Sequence, residues 1–209
     1  MNEIERLLSI NPYSRTGEKQ GKVEYIVVHW IGNANTSAVA NRNYFNNLPS
    51  INAERRQKGL PDTYASSHDI IGLNGEQVHC IPYDEVAFHS GSYSMNRKSI
   101  GIEVCHPDWG GKFSDVTYNS LVELTAELCK KYGIGINNVI RHHDVTGKDC
   151  PKYYVENQGE WARFKQDVQN AITGTITPVP EEPKGSEEKP MYRFKNGKTV
   201  RSEERRVGK

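Results

Sequence analysis

The chain has 209 residues, of which 25% are charged and 35% apolar, and its formal net charge is +1. This length suits one domain of common size with an appendage. The small net charge argues against an electrostatic surface for nucleic acid, so we expect no nucleic-acid partner. No segment approaches the roughly 20 apolar residues that a membrane-spanning helix needs, so we expect no membrane insertion.

The first third of the chain predicts a lead-in, a strand, a helix and a loop. Residues 1–22 mix turn formers with an amphipathic start and are expected to wrap the domain. Residues 25–29 form a nearly continuous apolar run, which is typical of a strand buried on both faces. Residues 37–48 predict a helix. Residues 49–63 carry prolines, a glycine and charges, which indicate a surface loop.

The middle of the chain predicts three strands. Residues 67–71 and 77–81 read as the two strands of a hairpin that turns at Leu73-Asn74-Gly75. Residues 99–105 alternate with period two, so that successive side chains point to opposite faces of the sheet. One face of this strand carries Ile100, Ile102 and Val104, and the other carries Gly101, Glu103 and Cys105.

The next stretch predicts two amphipathic helices around a short strand. Residues 116–132 form a helix with an apolar stripe, and Gly133 ends it. Residues 139–141 are a short strand that leads into a pair of histidines, and residues 160–172 predict a closing helix. Strands that alternate with helices predict an α/β fold, with a mixed central β-sheet flanked by helices.

The composition changes after the last predicted helix, which divides the chain into three parts. We expect residues 1–173 to form one complete domain. Residues 174–190 are rich in proline and glutamate and read as an extended linker. Residues 191–209 form a basic tail with one hairpin turning at Asn196-Gly197, which is either the start of a truncated second module or a disordered segment.

Two histidines and a cysteine make a candidate metal site. His142 and Cys150 lie in one short stretch, and His29 ends the first predicted strand. Three such ligands with a fourth position open to water are the pattern of a catalytic zinc ion. Adjacent residues on an extended segment point to opposite sides, so only one of His142 and His143 is expected to face a shared metal. On spacing alone, a surface histidine pair and a buried thiol explain the pattern equally well.

Three motifs resemble the zinc-ligand motifs of the type 2 N-acetylmuramoyl-L-alanine amidases, which include phage endolysins and share a fold with the peptidoglycan recognition proteins. They are Val27-Val28-His29-Trp30, His142-His143-Asp144-Val145 and Lys148-Asp149-Cys150-Pro151. The resemblance covers residues from about 23 to 172, with the motifs in the family's order. Further matching stretches are Ser67-His68-Asp69-Ile70-Ile71-Gly72, Ala87-Phe88-His89-Ser90-Gly91 and residues 96–103.

The resemblance implies one zinc ion held by His29, His142 and Cys150. It favours His142 over its neighbour because the family's ligand stands two positions before an aspartate, here Asp144. That aspartate is expected to support a zinc ligand through a hydrogen bond. His143 is then left as a candidate substrate contact.

The resemblance also implies hydrolysis of the amide between N-acetylmuramic acid and L-alanine. Glu103 matches the family's general base, and a carboxylate on a buried strand is expected to be either paired or functional. Lys148 matches a lysine that stabilises the developing oxyanion. His89 and Trp30 are expected to contact the substrate. Ser67 stands where some relatives have a tyrosine, so that tyrosine is not available as a catalytic residue here. Its absence favours Glu103 as the catalytic residue.

The function implied is that of a zinc-dependent peptidoglycan hydrolase of the endolysin type, acting as a monomer. Residues 1–6 show no secretory signal, so we expect it to stay in the host cytoplasm and to reach the cell wall after release. The basic tail would then begin a cell-wall-binding module. Two alternatives are a non-catalytic peptidoglycan-binding protein and a zinc peptidase acting on another cell-wall amide. Cys150 argues against the first, because binding relatives typically lack that ligand.

Overall fold

The computed structural model of this protein describes residues 3–175, together with the backbone of Tyr192–Arg193 and Thr199–Val200. The chain divides into two units, residues 1–176 and residues 177–209. In the second unit the two short strands pair antiparallel. The turn predicted at Asn196-Gly197 and most of the predicted linker lie outside the described residues.

A six-stranded mixed sheet organises the first unit, in the order β1-β4-β3-β5-β2-β6. Every neighbouring pair is parallel except β3 and β4, which form the predicted antiparallel hairpin. The predicted fold class is therefore confirmed. The strands are Glu3–Glu5 (β1), Tyr25–Trp30 (β2), Asp69–Ile71 (β3), Gln77–His79 (β4), Ser99–Val104 (β5) and Val139–Arg141 (β6).

Helices cover both faces of this sheet. One face packs on the long helices, through side chains such as Leu124 and Phe164, and the other packs on the first helix through Ala38 and Phe45. Burial of these apolar surfaces is the main source of stability for such a layered fold. The helices are Ala38–Asn46 (α1), Leu48–Gln57 (α2), Tyr93–Asn96 (α3), Asp115–Tyr132 (α4), His142–Thr146 (α5), Lys152–Glu156 (α6) and Gln158–Thr173 (α7).

The helix α4 begins and ends as its sequence predicts. Ser114 precedes it, and its hydroxyl accepts a hydrogen bond from the backbone N–H of Thr117. Gly133 follows it with φ of 66°, a left-handed conformation that ends a helix without the steric cost of a side chain. No helix in residues 3–175 is long and apolar enough to cross a membrane.

In the first third of the chain one structural prediction is wrong, and one strand was not predicted. Much of the loop predicted over residues 49–63 is the helix α2. Pro49 does not prevent this helix, because it lies in the first turn, where the backbone N–H groups have no partner within the helix. The predicted lead-in contains β1, a short strand that pairs parallel with β4. Three residues are too few for a hydrophobic period to reveal such an edge strand.

The segment that follows β6 is helical rather than extended. The backbone N–H and the guanidinium group of Arg141 donate hydrogen bonds to the carboxylate of Asp144, and these bonds start α5 directly after the strand. His142 and His143 therefore lie on a helix and not on the extended segment that was predicted. The helix itself separates them, because neighbouring helical residues do not share a face.

Candidate metal centre

The parallel strands β2, β5 and β6 deliver three side chains to one edge of the sheet. His29 lies near the carboxyl end of β2, and Glu103 is its register partner on β5. His142 follows β6 directly and opens α5. Because parallel strands end at a common edge, these side chains converge although they are far apart in the sequence.

A loop after α5 returns Cys150 to the same place. Gly147 ends the helix with φ of 78°, a left-handed conformation that suits glycine. The backbone N–H of His143 then donates to the carbonyl of Cys150 at 2.9 Å, which closes the loop. The side chains of His29, His142 and Cys150 form a buried cluster whose candidate ligand atoms all lie within 4.8 Å of one another.

The histidine ligands present their Nδ1 atoms to this cluster. His29 Nδ1 lies 3.1 Å from His142 Nδ1 and 3.8 Å from the Sγ atom of Cys150. Burial, with the nearby positive charge of Lys148, lowers the pKa of His142 to about 4. Burial also holds the pKa of His29 well below its ordinary value and raises the pKa of Cys150 to about 12. Without a cation, the cluster therefore consists of neutral imidazoles and a thiol.

Glu103 lies beside the cluster with an unsatisfied carboxylate oxygen. Its Oε2 atom is buried and has no hydrogen-bond partner among the described residues. Burial raises the pKa of Glu103 to about 8, against an opposing effect of the positive charge of Lys148. A buried carboxylate without a partner is costly in a purely structural role, so its presence marks a candidate functional site.

Lys148 is exposed, yet its charge acts on the whole cluster. It lowers the pKa values of His29, His142 and Glu103, although burial is the larger influence on each of them. The structure therefore places a solvated positive charge near the buried cluster. Such a charge can stabilise negative charge that develops on a reacting group nearby.

The predicted substrate contact His89 lies behind the cluster. It is 7% exposed, and its Nδ1 atom is 3.0 Å from His29 Nε2, on the side of that ring away from Cys150. Burial holds its pKa well below the ordinary value. His89 therefore contacts a candidate ligand, and its role as a substrate contact stays a prediction.

Three other residues predicted to belong to the site make contacts outside the cluster. The ring of His143 hydrogen-bonds to the carbonyl of Lys148 at 3.1 Å. Asp144 accepts hydrogen bonds from the backbone and guanidinium groups of Arg141 instead of supporting a ligand ring. Trp30 stacks on the ring of His106, with 4.6 Å between the ring centroids.

Four polar or small residues near the cluster were given no role from the sequence. They lie in stretches of sequence that resemble the family, but a sequence motif does not reveal which atoms a side chain contacts. The one physical signal was Gly101, since a glycine within a strand often marks a close approach by another group. The four are Ser90, Asn96, Ser99 and Gly101.

The fold and the site together define a class of protein. It is an α/β protein with a buried His–His–Cys cluster at the carboxyl edge of its sheet, next to an unpaired carboxyl group and a solvated lysine. Such a donor set is suited to a transition metal, above all zinc.

The chain belongs to the N-acetylmuramoyl-L-alanine amidase family (Amidase_2), whose profile matches residues 19–153. A probable N-acetylmuramoyl-L-alanine amidase of Bacillus licheniformis is 32% identical over 179 residues, which cover 81% of this chain and 48% of the relative. The chain spans about half the length of the curated relatives it matches. The resemblance seen in the sequence motifs is therefore confirmed.

Solved structures agree with this assignment. A mutant endolysin from Bacillus subtilis superimposes with a TM-score of 0.64 at 27% identity, covering 80% of this chain and 99% of that one. The solution structure of the PlyG catalytic domain gives a TM-score of 0.67 at 26% identity, covering 86% of this chain and 100% of that one. The similarity thus spans nearly the whole length of both solved chains.

Proposed function

We propose that this chain carries the catalytic domain of a zinc-dependent endolysin that hydrolyses the amide between N-acetylmuramic acid and L-alanine in peptidoglycan. The observation that carries the proposal is the buried cluster of His29, His142 and Cys150 next to the unpaired carboxyl group of Glu103. Membership of the amidase family supplies the substrate class. Relatives named as N-acetylmuramoyl-L-alanine amidases support the same reaction.

The ligand atoms fit a tetrahedral zinc ion. Zn–N bonds of about 2.0 Å and a Zn–S bond of about 2.3 Å separate two ligand nitrogens by roughly 3.3 Å, and nitrogen from sulfur by roughly 3.5 Å. The corresponding distances from His29 Nδ1 are 3.1 Å to His142 and 3.8 Å to Cys150. These two distances lie within about 0.3 Å of the tetrahedral values, and all three candidate atoms lie within 4.8 Å of one another.

When bound, zinc supplies a Lewis acid that polarises a carbonyl group and lowers the pKa of water. Glu103 acts as the general base in this proposal: its free oxygen takes the proton of the attacking water and then delivers it to the leaving amine. The pKa of about 8 belongs to the metal-free protein. The positive charge of a bound cation would lower it, so that the carboxylate can accept a proton near neutral pH.

Lys148 has the complementary role. Attack on an amide places negative charge on the carbonyl oxygen, and an exposed ammonium group near the cluster can stabilise that charge. Its charge already acts on Glu103 and on both histidine ligands, which supports a position close to the reacting groups.

The wider biological role follows from the same proposal. The partner is the peptidoglycan of a bacterial cell wall, and the enzyme acts as a monomer after release from the host cytoplasm. Residues 1–173 form the catalytic domain, residues 174–190 the linker, and residues 191–209 the start of a wall-binding module. Similarity to an endolysin structure supports the release mechanism.

Digestion of purified peptidoglycan tests the proposal. The zinc-loaded protein should release N-terminal alanine on stem peptides and leave free lactyl carboxylates on the glycan, both detected by mass spectrometry. New termini within the stem peptide would instead identify a zinc peptidase. Binding to peptidoglycan with no released product, when zinc is present, would identify a non-catalytic binding protein.

A further inference from the structure

We propose that the segment His89-Ser90, which precedes β5, positions both histidine ligands by holding the ring nitrogens that face away from the metal. His89 holds His29, and the backbone of Ser90 holds His142. This inference rests on the proposed metal site and goes beyond it. It replaces the substrate-contact role expected for His89 with a positioning role.

The hydrogen bonds behind His29 have a fixed direction. The hydroxyl of Ser99 donates to the carbonyl of Met95 at 2.6 Å, so its oxygen is left to accept from His89 Nε2 at 3.2 Å. A neutral imidazole that donates from Nε2 accepts at Nδ1. His89 Nδ1 therefore accepts from the Nε2–H group of His29, and the Nδ1 atom of His29 keeps its lone pair for the cluster.

The same logic applies to the second histidine ligand. The Nε2 atom of His142 lies against the backbone of the same segment, beside Gly91, and the carbonyl of Ser90 is the acceptor near the ring. A backbone carbonyl can only accept, so this neighbour favours the ring proton on the far side from the cluster. Both histidines then present Nδ1 lone pairs that face each other at 3.1 Å, an arrangement that a shared cation stabilises.

Asn96 connects the two supports. Its Oδ1 atom accepts from the backbone N–H of Ser90 at 2.9 Å and from the Ser90 hydroxyl at 2.7 Å. The same atom lies 3.3 Å from the backbone nitrogen of His89. One buried amide oxygen therefore fixes both consecutive residues of the segment, so the two histidine ligands are oriented by a single rigid unit.

Gly101 supplies the space that this arrangement requires. A Cβ atom at this position on β5 would lie 2.4 Å from Cγ of His89, and 2.7 Å from both Cδ2 and Nδ1. Real Cβ contacts are not this short, so any side chain here would displace the ring. The glycine lets the ring of His89 pack directly on the strand, within reach of both His29 and Ser99.

The test compares zinc affinity in two substitutions at one position. His89→Leu fills the space without an acceptor, whereas His89→Asn places an amide oxygen close to the position of Nδ1. We expect His89→Leu to weaken Zn²⁺ binding by about 10- to 100-fold in competition with a chelator, as loss of an outer hydrogen bond to a ligand commonly does. His89→Asn should recover most of that affinity, and the visible spectrum of the Co²⁺-loaded protein should change only in the leucine variant.

His79→Leu is the control for a merely structural effect, because His79 is a part-buried histidine bonded to Asp69 rather than to a ligand. It should lower stability to urea without changing Zn²⁺ affinity. A folded His89→Leu protein with wild-type affinity and an unchanged Co²⁺ spectrum would overturn the inference. If that variant does not fold, Gly101→Ala provides the same comparison, since its methyl group displaces the ring. Failure of the wild-type protein to bind Zn²⁺ would instead refute the proposed metal site.

Discussion

His29 and Glu103 are register partners on the adjacent parallel strands β2 and β5. Partners at one register position of a sheet point to the same face, so the strand pairing itself holds the carboxyl group beside the candidate ligand. A base carried on a strand is held more rigidly than one on a loop. The arrangement explains why a carboxyl group is tolerated within an otherwise apolar strand.

Glu103→Gln should abolish most of the activity while leaving the metal site intact. The amide keeps the size of the side chain but cannot accept the proton from water, so we expect kcat to fall by about 10²- to 10⁴-fold. Zinc content, measured by atomic spectroscopy, should be unchanged. Glu127→Gln, an exposed change on α4, is the control and should retain full activity. Lysis of cell walls by the Glu103 variant at the wild-type rate would disprove the assignment.

Glu103 should also make the stability of the metal-free protein depend on pH. Burial raises its pKa from 4.5 to about 8 in the folded protein. Between these values the folded state keeps a proton that the unfolded state has released, so this contribution is complete below pH 4.5 and is lost as the pH rises toward 8. As the pH rises across this range, the free energy of unfolding of the wild type should therefore fall relative to that of Glu103→Gln, by about 1 kcal/mol or more. Urea titrations that give parallel pH curves would contradict the raised pKa.

Substitutions at His142 and His143 test which of these neighbouring histidines binds the metal. His142→Ala should empty the metal site, because its Nδ1 atom faces His29 within the cluster. His143→Ala should keep the metal, since its ring hydrogen-bonds to the carbonyl of Lys148. Cys150→Ser should bind zinc far more weakly, because a hydroxyl is a poor zinc ligand at neutral pH. Equilibrium dialysis with Zn²⁺ measures all three, and the opposite result for the two histidines would show that the ligand was chosen wrongly.

Lys148→Ala should lower the rate without weakening metal binding. The lost ammonium group no longer stabilises the oxyanion, so we expect kcat to fall by roughly 10²- to 10³-fold. Zn²⁺ affinity should stay the same or rise, because the lysine charge repels cations as it lowers the pKa values of the histidines. Lys152→Ala is the control, because that side chain bonds to the carbonyl of Trp109. Equal losses in both variants would indicate a general effect of surface charge.

A protein that ends at Thr173 should keep the full chemistry of the site. Every candidate ligand and catalytic group lies before Pro151, and the helix α7, which ends at Thr173, completes the packing on the sheet. We expect unchanged zinc content and unchanged cleavage of soluble muropeptides. Attack on intact walls should slow, because the basic tail no longer attracts anionic wall polymers. If this shorter protein unfolds, or does not cleave the soluble substrate, then the true domain boundary lies after Thr173.

The sequence predicted the parts of this fold that depend on local patterns. The apolar run of β2, the alternation of β5 and the capped helix α4 each carry a period or a cap that local chemistry explains. It did not predict β1, whose three residues gain their structure from pairing with β4. The helix α5 was also missed, because it depends on hydrogen bonds between Arg141 and Asp144 that the sequence alone does not reveal.

The candidate site shows the same division. Residue types and their resemblance to a family indicated the candidate ligands, which the structure brings together. Asp144 was expected to contact a ligand, but its carboxylate accepts a hydrogen bond from Arg141, the last residue of β6. The bond from His89 to His29 joins residues 60 positions apart, so only the folded chain could reveal it.

The wide separation of the ligands along the chain has a consequence for biosynthesis. His29 lies 113 positions before His142 and 121 positions before Cys150, and only the assembled sheet brings them together. An unfolded or half-synthesised chain therefore contains no complete chelate, so the ion is captured only after the tertiary structure forms. An ion that binds only the native state shifts the folding equilibrium by mass action, worth about 2.7 kcal/mol at a free concentration 100 times the dissociation constant. Metal supply would thus influence what fraction of the domain is folded.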